Sequence, residues 1–84
     1  MKFSNTDRTL MEMLFRRETA REIGGVCKVG RFERIWTVRQ MPKTDMHEEY
    51  FTGLICGVYD KMAMADTLHE CLNQMGTIIA EYND

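Results

Sequence analysis

The sequence lacks the compositional bias of several large protein classes. Its 84 residues include one proline and six glycines, with 44% hydrophobic and 29% charged residues. This is the composition of an ordinary globular protein, which excludes collagen-like, linker-rich and disordered architectures. A chain of this length can form only one small hydrophobic core. We therefore predict a single domain that spans residues 1–84.

Long apolar runs are also absent from the sequence. No run approaches the roughly 18–20 residues needed to cross a bilayer, and the N-terminus lacks the order of charged, apolar and small residues found in a signal peptide. The three cysteines, Cys27, Cys56 and Cys71, are odd in number and too few for a disulfide framework. We expect reduced thiols in a cytoplasmic protein that makes no membrane contact.

Residues suited to catalysis or metal binding are few. Ser4 is the only serine, and both histidines, His47 and His69, lie in polar local sequence. A zinc site could draw only on these histidines and the three cysteines, but no Cys-x₂-Cys pair exists, and His69 and Cys71 would point in different directions on a helix. Gly24-Gly25 follows a predicted helix, whereas phosphate-binding loops lead into one. We expect no enzyme activity, no metal and no cofactor.

The first part of the chain is predicted to be a helix followed by strands. Residues 5–23 carry apolar side chains at helical spacing, and Gly24-Gly25 is predicted to end that helix in a left-handed conformation. Residues 26–41 are rich in β-branched and aromatic side chains, which predicts two strands or one bent strand.

Residues 48–59 form the strongest strand pattern, with apolar side chains on both faces. Such a strand is either central in a sheet or meets a partner on its second face. We assign one face to Phe51, Ile55 and Tyr59, and an obligate dimer through that face is one structural possibility. The segment Met62-Ala63-Met64-Ala65 is predicted to be exposed and outside both strand and helix.

The clearest periodicity lies near the C-terminus, where six apolar residues recur at helical spacing: Leu68, Cys71, Leu72, Met75, Ile79 and Tyr82. Thr67 and Glu70 stand in capping-box spacing just before this stripe. Cys56 and Cys71 are interpreted as small core residues. The predicted fold is α+β, in the order helix, two or three antiparallel strands, helix, with both helices packed on one sheet face.

The net charge of −2 hides two opposed halves. Residues 1–43 hold ten basic and five acidic side chains, giving +5, and residues 44–84 hold one basic and eight acidic, giving −7. The two halves either pack together and offset each other or form a bipolar surface. On a bipolar surface, the acidic side would suit a basic partner, such as a protein that normally holds phosphates.

Our principal functional hypothesis is a protein-binding module whose acidic side recognises that basic partner. Acidic side chains form the expected rim and two tyrosines with a methionine the expected anchors. These residues are Asp45, Glu48, Glu49, Tyr50, Tyr59, Asp60 and Met62. The alternative interpretation is that they are core aromatics beside an ordinary solvated edge. A homodimer is a further expectation. A small sheet with apolar side chains on a second face exposes that face to water, and self-association would bury it.

The alternative function is binding of RNA or DNA through the basic half. Its candidate residues are Arg16, Arg17, Arg21, Lys28, Arg31, Arg34 and Arg39. Phe32 or Trp36 could stack on bases beside these cations. The acidic sequence pI and the acidic second half argue against this alternative.

The stretch from Glu49 to Tyr82 combines an alternating strand, an acidic connection and the capped helix Asp66-Thr67-Leu68-His69-Glu70-Cys71-Leu72. It loosely resembles the strand-then-helix half of HicB-like partial double-stranded-RNA-binding folds, over 34 of the 84 residues. As a compact acidic chain without a catalytic motif, the sequence is also similar to small phage-encoded anti-defence proteins, anti-CRISPR inhibitors among them. That resemblance carries no diagnostic motif. It implies an inhibitor that occupies a functional surface of a larger host protein.

Overall fold

The computed structural model describes Thr9, Met13, residues 21–46 and residues 48–83. The elements are β1 (Glu22–Val29), β2 (Phe32–Met41), β3 (Tyr50–Ile55), β4 (Val58–Ala65) and α1 (Leu68–Asn83). An α+β fold is therefore confirmed, but the prediction of two or three strands is wrong. The strands form one antiparallel sheet in the order β1-β2-β3-β4.

The extra strand arises at a turn that the sequence pattern concealed. Cys56 and Gly57 form this turn between β3 and β4, and Gly57 has a φ of 85°, a left-handed conformation that glycine adopts at no steric cost. The apolar alternation of β3 continues across the turn into Val58, so residues 48–59 resembled one strand. Residues 62–65 then belong to β4 and do not form a loop.

The N-terminal helix prediction is wrong at its C-terminal end. Thr9 and Met13 are helical, whereas Glu22 and the following residues pair with β2. Most of the predicted helix, and with it the helix-first order, lies outside the described residues. Gly25 serves the sheet instead of ending a helix: a Cβ there would lie 3.0 Å from Nε1 of Trp36. Its missing side chain makes room for the indole ring.

Helix α1 begins where the capping pattern predicted. The backbone N–H of Glu70 donates to the Thr67 hydroxyl over 3.1 Å, so Thr67 is the N-cap and the helix starts at Leu68. Leu72, Met75 and Ile79 of the predicted apolar stripe are buried. The one helix among the described elements thus buries its apolar stripe on the sheet.

The core lies between α1 and one face of the sheet, here termed the covered face. Trp36, Val38, Ile55 and Ala63 point from the strands into this core. Gly53 permits the closest approach, because a Cβ at this position would lie 2.7 Å from Cγ and Sδ of Met75. The helix rests directly on β3 at this point.

The opposite face, here termed the open face, carries the alternate residues of the same strands. Its centre consists of Gly24, Val26, Ile35, Thr37 and Leu54, which follow from the pairing register and the pleat. Val26 is 63% exposed and Ile35 is 56% exposed. The covered and open faces therefore differ sharply in solvent contact.

The assignment of the second face to Phe51, Ile55 and Tyr59 is wrong. Ile55 is 0% exposed and belongs to the core, and Phe51 packs against that core. Tyr59 is exposed. Cys56, which was expected in the core, is exposed in the turn, while Cys71 is buried as predicted. Because the sheet register was unknown, the alternation within β3 did not reveal which of its two faces the helix would cover.

Candidate protein-binding site

An acidic depression lies where β3 begins and β4 ends. Glu48, Tyr50, Met64 and Asp66 line it, and its volume is about 250 Å³. The register explains the assembly, because Thr52 pairs with Met64 and so places the entry into β3 beside the exit from β4. We refer to these four residues as the acidic pocket. Two carboxylates there accompany a phenol ring and a thioether.

The carboxylates around the acidic pocket are only weakly engaged. Glu48 forms an ion pair with Lys43 at 3.6 Å, with both side chains largely exposed, and such pairs contribute little to stability. Glu49 accepts a hydrogen bond from the Gln40 amide at 2.8 Å. Asp45 is exposed in the connection between β2 and β3. A positively charged ligand could therefore replace Lys43 at Glu48 with little loss of internal stability.

Opposite charges occupy the two halves of the sheet, β1 with β2 and β3 with β4. Residues 21–43, which contain β1 and β2, hold six basic and two acidic side chains, giving +4. Residues 44–46 and 48–83, which contain β3, β4 and α1, hold one basic and seven acidic, giving −6. Since β1 and β2 form one half of the sheet and β3 and β4 the other, the charge asymmetry of the sequence becomes a spatial one within the sheet. Helix α1 lies across the covered face and contacts all four strands.

The predicted partner-binding residues separate into two groups. Asp45, Glu48, Glu49 and Tyr50 lie at or near the acidic pocket. The other three lie on β4 towards the Cys56–Gly57 turn, two to five residues and so about 7–17 Å from Met64 along the strand. They are Tyr59, Asp60 and Met62. The sequence analysis did not identify Met64 and Asp66, whose placement depends on the unrecognised turn.

Asp60 has a structural role within its group. The Tyr82 hydroxyl at the end of α1 donates a hydrogen bond to the Asp60 carboxylate. This bond raises the pKa of Tyr82 to about 12 and lowers the pKa of Asp60. Lys61 adds an ion pair to Glu81 and lies over the Tyr82 ring at 5.2 Å. These contacts fasten the end of α1 to β4.

The buried thiols are protonated groups of the core. Burial raises the pKa of Cys71 to about 11, and burial is also the main cause of the raised pKa of Cys27. A thiol becomes a strong nucleophile or metal ligand only as the thiolate. Among the residues that the structure describes, no three His, Cys, Asp or Glu side chains are grouped to hold a metal ion.

The candidate nucleic-acid residues also separate into two groups. Lys28, Arg31 and Arg34 surround the turn between β1 and β2, where the Arg34 guanidinium lies 5.7 Å from the centre of the Phe32 ring. The other two described candidates, Arg21 and Arg39, lie at the opposite end of these strands, and Arg39 forms an ion pair with Glu22.

Trp36 is only 3% exposed and lies in the core, so it offers no stacking surface and that part of the prediction is wrong. Phe32, by contrast, is exposed. Arg16 and Arg17 lie outside the described residues.

Comparisons with protein-family models, curated proteins and solved structures each found no match. Within the described part of the chain, no helix is long and apolar enough to cross a membrane.

Proposed function

We propose that this protein is a protein-binding module that captures a basic side chain of its partner in the acidic pocket. The observation that supports the proposal is the convergence of Glu48 and Asp66 beside Tyr50 and Met64 in one depression. The aliphatic stem of a lysine or arginine would pack on the thioether and the ring. Its charged head would reach the two carboxylates.

The wider charge distribution favours the same class of partner. The β3–β4 half of the sheet is acidic beyond the pocket itself, which would steer a basic surface towards it. A protein surface that normally holds nucleic-acid phosphates presents such basic residues. An inhibitor of a host nucleic-acid-handling protein, as the resemblance to anti-defence proteins implies, would act by occupying that surface.

A short arginine-rich peptide, followed by NMR titration of the full chain, tests the proposal. We expect salt-sensitive shifts at the four residues of the acidic pocket. The double variant Glu48→Gln with Asp66→Asn should weaken binding about tenfold or more, because charge-assisted contacts are lost. The control variant Glu70→Gln with Glu81→Gln removes the same charge outside the pocket and should change affinity less than about threefold.

Tyr50, the aromatic anchor of the proposed pocket, is tested separately. Tyr50→Ala should weaken the arginine-rich peptide about tenfold or more, since truncation of a central aromatic anchor removes a large share of binding energy. Tyr59→Ala truncates a more exposed tyrosine on β4 outside the pocket and should leave affinity within about threefold. Equal effects of the two charge variants would mean that only overall charge matters. Equal effects of Tyr50→Ala and Tyr59→Ala would mean that Tyr50 is not an anchor. Either result would contradict the proposed pocket.

A second candidate function rests on the cluster of Lys28, Arg31 and Arg34 with exposed Phe32. Cations beside an exposed ring are the elements that bind single-stranded nucleic acid. A short single-stranded oligonucleotide in low salt is therefore the second arm of the titration. Shifts confined to the β1–β2 turn, without any response to the arginine-rich peptide, would replace the protein-binding proposal with this one.

A further inference from the structure

We infer that the open face is the interface of a homodimer, formed when the sheets of two copies stack about a two-fold axis perpendicular to the strands. Val26 and Ile35 lie side by side at the centre of this face and are exposed, and the half-buried Leu54 on β3 extends the apolar centre. Stacked sheets pack about 10 Å apart with nearly aligned strands. The charges that border the apolar centre favour a second copy as the occupant.

Each of two neighbouring strands carries one charge of each sign on the open face. On β1 these are Glu22 and Lys28, each three residues from Gly25; on β2 they are Glu33 and Arg39, each three residues from Trp36. Gly25 and Trp36 are register partners, so the two charge patterns share one centre.

The two-fold axis lies between the two sheets and runs parallel to that row. It places each strand antiparallel over the same strand of the second copy. Glu22 would then lie over Lys28 of the second copy, and Glu33 over Arg39 of the second copy. All four open-face charges on these two strands would meet an opposite charge, which gives four ion pairs across the interface. A self-complementary patch of this kind is what an interface with two-fold symmetry requires.

The same operation makes the apolar centre complementary in shape. Val26 would lie over Gly24 of the second copy, where the missing side chain leaves a recess, and Ile35 would lie over the smaller Thr37. The charges on β1 and β2 of this face cancel within each copy, because Glu22 pairs with Arg39 and Lys28 pairs with Glu33. A second copy therefore brings no net repulsion to these strands.

The edges of the sheet are less available for self-association than its open face. On β4, the outward backbone N–H of Met64 donates to the Gln74 amide oxygen at 2.8 Å. On β1, the outward carbonyl of Lys28 accepts from the Asn83 amide at 2.6 Å. Both amides belong to α1, and covered edge groups are a common protection against strand-to-strand association. Face-to-face stacking remains open to the molecule.

Charge swaps test the inferred dimer without disturbing the pairs inside each chain. Light scattering at micromolar concentrations should give about 20 kDa, twice the 9.9 kDa of one chain. The double swap Glu22→Lys with Arg39→Glu keeps the pair within the chain but places like charges across the interface. It should raise the dimer dissociation constant about tenfold or more.

The fourfold swap, which adds Lys28→Glu and Glu33→Lys, restores opposite charges both within and between copies. Its dissociation constant should return to within about threefold of the wild-type value. Val26→Asp should give a monomer, whereas Phe32→Asp, at an equally exposed ring outside the open face, should leave the dimer intact. These variants keep the four residues of the acidic pocket, but Tyr50 and Met64 lie on the open face beyond Leu54. Binding of the arginine-rich peptide is therefore measured on the monomeric Val26→Asp variant, which separates it from dimerisation.

Two outcomes would overturn the inference. A wild-type chain that remains monomeric would show that a second copy does not cover the open face, which would leave it to another segment of the chain or to a foreign partner. A dimer whose dissociation constant is equal for the wild type, the double swap and the fourfold swap would place the interface elsewhere on the molecule.

Discussion

The two faces of the sheet are built from the same strands, yet they differ in burial. On β2, Trp36 and Val38 point into the core under α1, while their neighbour Ile35 is more than half exposed. The contrast shows that residue type alone does not decide burial in this protein. Isoleucine and valine occur on both faces, and the side on which α1 packs determines which of them form the core.

The largest effect is expected from a charge placed under the helix. Leu72→Asp puts an unpaired carboxylate at a fully buried position and should unfold the domain, with a loss of about 3–5 kcal/mol. Val26→Asp places the same side chain on the open face and should keep a cooperative thermal transition. Circular dichroism melts compare the two variants. A cooperative melt of Leu72→Asp at the wild-type temperature would contradict the packing of α1.

The next largest difference is expected between two isoleucines on opposite faces. Ile55→Ala leaves a cavity at a side chain that is 0% exposed and should cost about 2–5 kcal/mol of unfolding free energy. Ile35→Ala truncates a side chain that is 56% exposed and should cost less than about 1 kcal/mol. Urea denaturation at protein concentrations below the dissociation constant of the inferred dimer measures both losses. Equal losses would mean that the open face is buried in the single chain.

The smallest effect concerns the bond that fastens α1 to β4. Folding raises the pKa of Tyr82 from about 10 to about 12, so its stabilisation is present below about pH 10 and is lost as the pH rises towards 12. For Asp60 the pKa is lowered, so its stabilisation is lost as the pH falls through that lowered value. Tyrosinate absorbance should show one of the three tyrosines ionising late.

Asp60→Asn is the matched variant for this titration. It removes the charged acceptor while preserving the shape of the side chain, and it should return the pKa of Tyr82 towards its ordinary value of 10.0. Tyr82→Phe should abolish the late step and flatten the loss of thermal stability between about pH 10 and pH 12. A late step that persists in both variants would assign it to another residue.

The sequence predicted α1 well because its signals are local. Apolar spacing and the Thr67 cap act within a few turns of one helix, so no knowledge of the sheet was needed. The turn at Cys56–Gly57 was missed because the alternation of apolar side chains continues through it. Gly57, inside the predicted strand of residues 48–59, was the available signal. The glycines at 24 and 25 were misinterpreted because a helix end and a close approach to a tryptophan both favour glycine.

The acidic pocket was predicted only in part for the same reason. Glu48 and Tyr50 are close in sequence and were identified together as candidates. Met64 and Asp66 join them through the pairing of β3 with β4, which no local pattern contains. The distance between Tyr50 and Tyr59 likewise followed from the hairpin, since the strand reverses between them.

The α+β character, the cap and apolar stripe of α1, and the opposed charges of the two halves can be predicted from the sequence alone, because each depends on residue type and local spacing. Tertiary structure decided the number of strands, the side on which α1 packs, the burial of Trp36 and the assembly of the acidic pocket. These features depend on register and on contacts between residues distant in the chain. Alternation places residues on two faces of a strand, but only the packing of the helix distinguishes the covered face from the open one.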